Sequence, residues 1–264
     1  MRINNLQVLV YASRGEMGGD AALCVQEKIS ELLKEQPLVN IVFAAAPSQN
    51  EFLRALREAP VEWGRIRAFH MDEYIGLPRD AVQGFGNFLR ENLFDKAPFL
   101  SVHYIDGNAA DSQKECNRYA ALLELYPPDI ICMGIGENGH IAFNDPPVAD
   151  FADPYAVKVV ELDQPCRQQQ VNDGCFSGLG LVPTHAITLT VPALLSGRFI
   201  YCMVPGKLKA QAVFNVLNRE IGEDYPASVL RNHAQAILFL DADSAGETDL
   251  KVNAILRSIK IAKQ

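Results

Sequence analysis

The chain lacks any apolar run close to the roughly 20 residues that a membrane-spanning helix needs. Its N-terminus also shows none of the basic, apolar and small-residue order of a secretory leader. Cationic residues are in the minority: 24 Lys and Arg against 32 Asp and Glu give a formal net charge of −8. That balance argues against nucleic acid, whose backbone demands a clustered excess of positive charge. An anionic ligand would have to be met by cations gathered locally. The six cysteines form no CxxC pair and no Cys/His spacing suited to zinc. Cys132 and Cys202 fall in apolar runs and read as small core residues. Such usage fits a reducing, cytosolic setting with neither disulfides nor a metal. Ser/Gly/Pro-rich linkers, low-complexity tracts and internal repeats are missing too, so residues 1–264 read as a single domain. At 264 residues and 48% hydrophobic content, that domain can bury a substantial core.

What is present is an alternation of short apolar runs with amphipathic stretches. Leu6–Tyr11, Asn40–Ala46, Arg65–Met71, Val102–Ile105, Asp129–Met133, Val157–Val160, Ala186–Thr190, Arg198–Val204 and Ala234–Leu240 read as strands. Between them, apolar residues at helical spacing predict helices over Gly15–Lys34, from Asn50 through Leu56, across Phe88 and Leu93, over Gln113–Leu125 and over Lys209–Leu217. A last helix is expected at the C-terminus. Ser48 and Asn50 are candidate N-caps for the second helix. The pattern predicts an α/β fold, a mostly parallel sheet with helices on both faces.

One stretch organises the rest: Gly134-Ile-Gly-Glu-Asn-Gly-His-Ile-Ala-Phe-Asn-Asp-Pro-Pro147, directly after an apolar strand. Gly134-x-Gly136-x-x-Gly139 matches the dinucleotide fingerprint, but that motif must open a helix, and Pro146 and Pro147 forbid one. The glycines instead allow a tight turn and close approach to a ligand, with His140 able to move protons near neutral pH and Asp145 nearby. In open α/β sheets, ligands bind beyond the carboxyl ends of the strands. The loops Ala46–Ser48, Asp72–Glu73, Gly134–Asp145 and Pro205–Lys209 would share that rim. They bring carboxylates, a histidine and a lysine, and no reactive serine or cysteine. This inventory suits proton transfer on a small anionic substrate better than acyl transfer or redox chemistry. Plainer roles exist for each group. His140 could be a hydrogen-bonded core histidine, Asp72–Glu73 a solvated strand end or helix cap, and Lys209 an exposed helix residue. Tyr74, His103, His185 and His233 have no constellation around them and read as structural.

Phe69-His-Met-Asp-Glu-Tyr-Ile-Gly-Leu77 and the glycine stretch together resemble the signatures of the glucosamine-6-phosphate deaminase/isomerase family, related to the 6-phosphogluconolactonases. Their order and separation match as well, and the likeness extends more weakly over most of the chain. The resemblance implies a modified Rossmann-like α/β domain, no cofactor, and conversion of glucosamine 6-phosphate, or a related amino-sugar phosphate, to fructose 6-phosphate and ammonia. It leaves homo-oligomerisation open. Carried over by position, Asp72 matches the enolisation base and His140 the group that opens the sugar ring. Asn138 stands in the place of an aspartate assisting that histidine, and Asp145 in the place of a glutamate. Lys209 matches a lysine for the substrate phosphate, and Arg167 a family arginine. The motif residues Glu73, Gly136 and Gly139, with the Ala46 N–H and the Ser48 hydroxyl, complete the expected substrate-binding set.

Several positions depart from the family pattern. Its phosphate loop is of the type Pro-Thr-Gly-Gly-Thr-Pro, whereas Ala44-Ala-Ala-Pro-Ser-Gln49 stands here, with Cβ atoms where glycine left room. A second phosphate-binding arginine falls at about Val171 and is absent. In the region of the family's allosteric site Lys158 has a counterpart, but Ala156 replaces an arginine. Asn138 removes a negative charge beside His140, and Asp145 is one methylene shorter than glutamate, so Glu137 is the candidate substitute carboxylate. These departures carry two alternatives: a 6-phosphogluconolactonase-like hydrolase, and a sugar-phosphate-binding regulator without turnover.

Overall fold

The computed structural model describes residues 1–251; the expected C-terminal helix lies outside them. The chain opens with β1 (Arg2–Ile3), folded back antiparallel on β2 (Leu6–Tyr11). Helix α1 (Arg14–Glu35) leads to β3 (Val39–Phe43), and α2 (Asn50–Glu58) to β4 (Ile66–His70). A short strand β5 (Asp72–Tyr74) follows, then α3 (Phe85–Asn92), β6 (Ser101–His103), α4 (Ser112–Leu125) and β7 (Ile130–Met133). After a long turn come β8 (Val157–Glu161), α5 (Gln164–Asn172), β9 (His185–Leu189) and α6 (Val191–Leu195). Strand β10 (Phe199–Val204), α7 (Ala210–Asn218) and β11 (Ala236–Asp241) complete the described elements.

The local causes are visible in the sequence. Ser13 caps α1 by accepting from the Glu16 N–H at 3.2 Å, a contact worth ~1 kcal/mol. The stripe Met17, Ala21, Val25, Ile29 and Leu32 on that helix is fully buried. Gly18 lets α1 and α2 meet, since a Cβ there would come within 2.6 Å of the Glu51 Cβ. Asp111 caps α4 in the same way, accepting from Lys114 N at 3.0 Å. Strand β7 is buried at every position, as a central parallel strand covered on both faces must be.

Eight strands form the main sheet in the order β1-β2-β11-β10-β7-β3-β4-β6, parallel except for β1. From β3 the chain proceeds outward to β4 and β6; from β7 it proceeds the other way, to β10 and β11. The loops after β3 and β7 therefore diverge from neighbouring strands. This is the topological switch point, where a crevice opens at the carboxyl edge.

Three sequence expectations need correction. The strands β8 and β9 do not join the parallel sheet; with β5 they make a separate three-stranded antiparallel sheet, ordered β5-β9-β8. In β8 only Val157 and Val160 are buried, whereas β9 is buried from Ala186 to Leu189, so the antiparallel pairing and not the burial of β9 separates these strands from β7. Asp72 does not end a strand but begins β5. Neither Ser48 nor Asn50 caps α2, because a 3-10 turn over Pro47–Gln49 runs directly into the helix and no side-chain cap forms. The elements β1, α5 and α6 are additional to those expected.

Candidate active site

The crevice at the switch point is floored and walled by the loops that the strand-end rule gathers. Ala44–Ala46, Ser48 and Gln49 come from the turn after β3, and Met71 and Asp72 from the corner after β4. Gly134–Gly136, His140, Ala142 and Phe143 come from the turn after β7, and Lys209 from the start of α7. Helix α3 adds Phe85, and α5 adds Gln169 and Gln170 across the top.

The turn after β7 is shaped around His140. Gly136 N donates to His140 O at 2.9 Å and Gly139 N to Gly136 O at 3.1 Å, closing a small loop. Gly139 has φ +89°, a conformation that glycine adopts without cost. A Cβ on Gly136 would lie 2.1–2.3 Å from three atoms of the imidazole, so only glycine leaves space for the ring. Ala142, with φ 49°, is held in the left-handed region by its neighbours: buried Asn144 donates to Ile141 O and Leu189 O, and Phe143 N donates to Thr188 Oγ1. Backbone held this way costs ~1–3 kcal/mol and persists where the surroundings over-determine it. No helix follows this turn before α5, so the fingerprint reading fails for the reason the prolines gave.

His140 is 8% exposed. Its Nδ1 faces two oxygens, Asn138 Oδ1 at 2.7 Å and Asp145 Oδ1 at 2.8 Å. Two acceptors place the proton on Nδ1 and leave Nε2 with a free lone pair. Asn138 Nδ2 also donates to Asp145 Oδ1 at 2.8 Å, tying the three side chains together. Burial pushes the Asp145 carboxyl up. The opposing pull of His140 and the hydrogen bonds from His140, Asn138 and Cys166 outweigh it and leave the group below the usual carboxylate range. The shorter Asp145 thus reaches His140 itself. Glu137, the candidate substitute, instead accepts from Asn172 Nδ2 at 3.3 Å. His140, Asp145 and Cys166 also carry metal-ligand atoms within 4.8 Å of one another, but the His140 and Asp145 atoms are engaged in this network.

Across the cleft, Asp72 is 7% exposed, and burial, helped by the nearby Glu73, raises its carboxyl well above the ordinary value. A carboxyl so raised is a stronger base once ionised. Lys209 is 6% exposed and its ammonium makes no hydrogen bond or ion pair among the described residues. Burial lowers its pKa, opposed by Asp173, Glu137 and Cys166. The loop that presents it is anchored by Asp241, whose two carboxylate oxygens lie 3.0 Å from Gly206 N. Ser48 Oγ accepts from Gln49 Nε2 at 3.2 Å, and the same amide lies 3.3 Å from Met203 O.

Of the residues singled out in the sequence, Ala46, Ser48, Asp72, Gly136, His140 and Lys209 line this one cleft, with Asn138 and Asp145 directly behind His140. Three lie elsewhere. Glu73, the next residue in an extended strand, points to the opposite face. There its oxygens accept from Tyr74, Phe85 and Gly86 N–H groups at 2.8–3.0 Å, capping α3. Arg167 is turned into its own layer, donating to Leu179 O and Val182 O. Gly139 shapes the turn without reaching the cleft wall. Lys158, from the region compared with an allosteric site, is engaged by Asp153 at 2.8 Å and by Val148 O. His103, His185 and His233 make local contacts with Ser101, Thr184 and Gly197 O, and Tyr74 is core. Sequence reasoning missed Gln49, Gln169, Gln170 and Cys166, since single residues in the turn before α2 and on α5 carry no motif.

A switch-point cleft with a carboxyl base, an oriented imidazole and an unpaired buried ammonium is the equipment of an α/β enzyme working by acid–base chemistry. The family described as glucosamine-6-phosphate isomerases/6-phosphogluconolactonase matches residues 12–239, and the chain belongs to it. A glucosamine-6-phosphate deaminase of Bacillus cereus is 30% identical over 239 residues, covering 90% of this chain and 88% of that protein. Among solved structures, a monomeric glucosamine-6-phosphate deaminase superposes with TM-score 0.83 at 29% identity, covering 92% of this chain and all of the other. A 6-phosphogluconolactonase of Thermotoga maritima shares the fold, with TM-score 0.73 at 21% identity and coverage of 89% and 99%. Among the described residues no helix is long and apolar enough to cross a membrane.

Proposed function

We propose that the chain isomerises and deaminates an amino-sugar phosphate of the glucosamine 6-phosphate type, yielding fructose 6-phosphate and ammonia. The observation that carries this is the meeting of Asp72, His140 Nε2 and unpaired Lys209 in one cleft. Lys209 receives the phosphate, helped by the Ser48 hydroxyl and the N–H groups at the start of α2. At the other end of the sugar, His140 Nε2 takes the anomeric hydroxyl proton and returns it to the ring oxygen, opening the pyranose. Asp145 and Asn138 hold the imidazole through Nδ1 for both transfers.

Asp72 then removes the C2 proton of the open aldehyde, giving an enolamine, and delivers a proton to C1. This leaves a C2 iminium, to which water adds; loss of ammonia gives the ketone, so substrate plus water balances ketose phosphate plus ammonia. Each such proton transfer by a placed group contributes ~10²–10⁴-fold. The raised pKa of Asp72 suits a base that must pull a proton from carbon.

The test is incubation of candidate amino-sugar phosphates in heavy water, following C1 and C2 by NMR beside ammonia release. Deuterium entry and ammonia formation, both lost in Asp72→Asn, are expected. Ammonia at the wild-type rate from Asp72→Asn would reject the mechanism. Hydrolysis of a phosphogluconolactone without C2 labelling would instead identify a lactonase, and silence toward every sugar phosphate a binding protein.

A further inference from the structure

The corner that delivers Asp72 is held by a residue with no role so far. On the β6 side the β4 ladder ends at Phe69, paired with His103. Two residues later the chain has changed sheets: Met71 O accepts from Leu189 N, and Asp72 pairs with Thr188 of β9. Between them the main chain of His70 is taken up by Tyr119 of α4. Its hydroxyl accepts from His70 N at 3.0 Å and lies 2.9 Å from His70 O.

The His70 ring is fully buried and uses both nitrogens. Nε2 accepts from Ile105 N at 2.9 Å, so it carries the lone pair, and the proton sits on Nδ1, which donates to Asp72 O at 2.9 Å. Burial, opposed by the Asp72 hydrogen bond and by Glu115, lowers its pKa to about 4, so this arrangement does not change near neutral pH.

We infer that His70 is a positioning residue: its imidazole clamps the Asp72 peptide to the segment after β6 and so fixes where the Asp72 carboxyl stands in the cleft. The inference rests on Asp72 being the proton-abstracting base. Its effect is on turnover, because a displacement of about 1 Å in a reacting group costs roughly 10²-fold.

Two carboxamides separate the two bonds. Asn places an N–H donor the same number of bonds from Cα as Nδ1 and keeps the hold on Asp72 O. Gln places its oxygen like Nε2 and keeps only the tie to Ile105. His70→Asn should retain kcat within about threefold, whereas His70→Gln should lose at least about tenfold in kcat with little change in KM. Equal losses in the two variants, or losses that simply rank with Tm, would overturn the inference. A second readout needs no substrate: the Asp72 carboxyl, followed by 13C NMR in aspartate-labelled protein. It should titrate above the ordinary range in wild type and His70→Asn, and move toward that range in His70→Gln. Identical titration in all three would also overturn it. Should the wild type turn over no amino-sugar phosphate, the proposed reaction fails while this titration still decides the role of His70. If His70→Gln does not fold, Tyr119→Phe removes the clamp on the His70 main chain. The same drop in kcat and shift in the Asp72 titration are then expected, and no change in either refutes the role.

Discussion

Gly136→Ala is the sharpest perturbation of the site, because one methyl group meets the His140 ring directly. The added Cβ would lie 2.1 Å from His140 Cε1 and 2.3 Å from both ring nitrogens. Carbon contacts settle at about 3.5–4.0 Å, so the ring and the turn must separate by more than about 1 Å. Behind the ring stand Asn138 and Asp145, bonded to Nδ1 at 2.7 and 2.8 Å, and Asp145 is 1% exposed and cannot give way. Nδ1 therefore loses at least one of its acceptors, and Nε2 leaves its working position. Overpacking of this kind costs ~1–3 kcal/mol of stability. Displacement of a reacting group by about 1 Å costs roughly 10²-fold in turnover. The control is Gly139→Ala. There φ is +89° but the nearest atom is 3.7 Å away, so backbone strain is expected with the ring undisturbed. Steady-state kinetics and thermal melting on both proteins decide the matter. Gly136→Ala should lose kcat far beyond what its Tm explains, while Gly139→Ala should melt earlier and keep most of its activity. Wild-type turnover by Gly136→Ala would refute the account of how His140 is held.

Asp72→Asn should raise Tm at pH 8 while abolishing turnover. The folded carboxyl has a raised pKa, so its ionisation opposes folding at high pH. The gain should vanish below about pH 3.9, where the unfolded carboxyl is protonated as well; a lower Tm at pH 8 would contradict the burial argument. Asp145 has the opposite sign: with its folded pKa lowered, its contribution is present above the unfolded value and is lost as pH falls through the folded one. Acid melting curves of Asp145→Asn should accordingly be flatter over that window than those of the wild type, and parallel curves would remove Asp145 from the network. Lys209→Ala should weaken binding of phosphorylated sugars by about 10–100-fold, the worth of a charged hydrogen bond, and leave unphosphorylated ones nearly unchanged. Equal effects in a competition assay would deny Lys209 the phosphate.

The sequence by itself determined the main layers and most of the residues that line the cleft. Short apolar runs identified the main parallel strands, which are covered on both faces, and period-3.6 stripes identified the longer helices, which bury one face. The glycine turn, Asp72, His140 and Lys209 were legible because each follows a strand of the parallel sheet, and parallel topology brings the segments after such strands to one edge. Short elements were a different matter. Strands β8 and β9 look locally like any other apolar run, and only their long-range pairing assigns them to a second sheet. That second sheet decided the roles of neighbours. Drawing Asp72 out of β4 into β5 sends its carboxyl to the cleft and the next side chain, Glu73, to the N-terminus of α3. Tertiary packing likewise made Arg167 a tie between loop carbonyls, gave Asn138 and Asp145 a shared contact with one imidazole nitrogen, and closed His70 onto Ile105, 35 residues away. Spacing along a chain fixes which face a side chain occupies within its own element. Which partner waits on that face depends on the packing of elements distant in sequence, and only the folded chain supplies it.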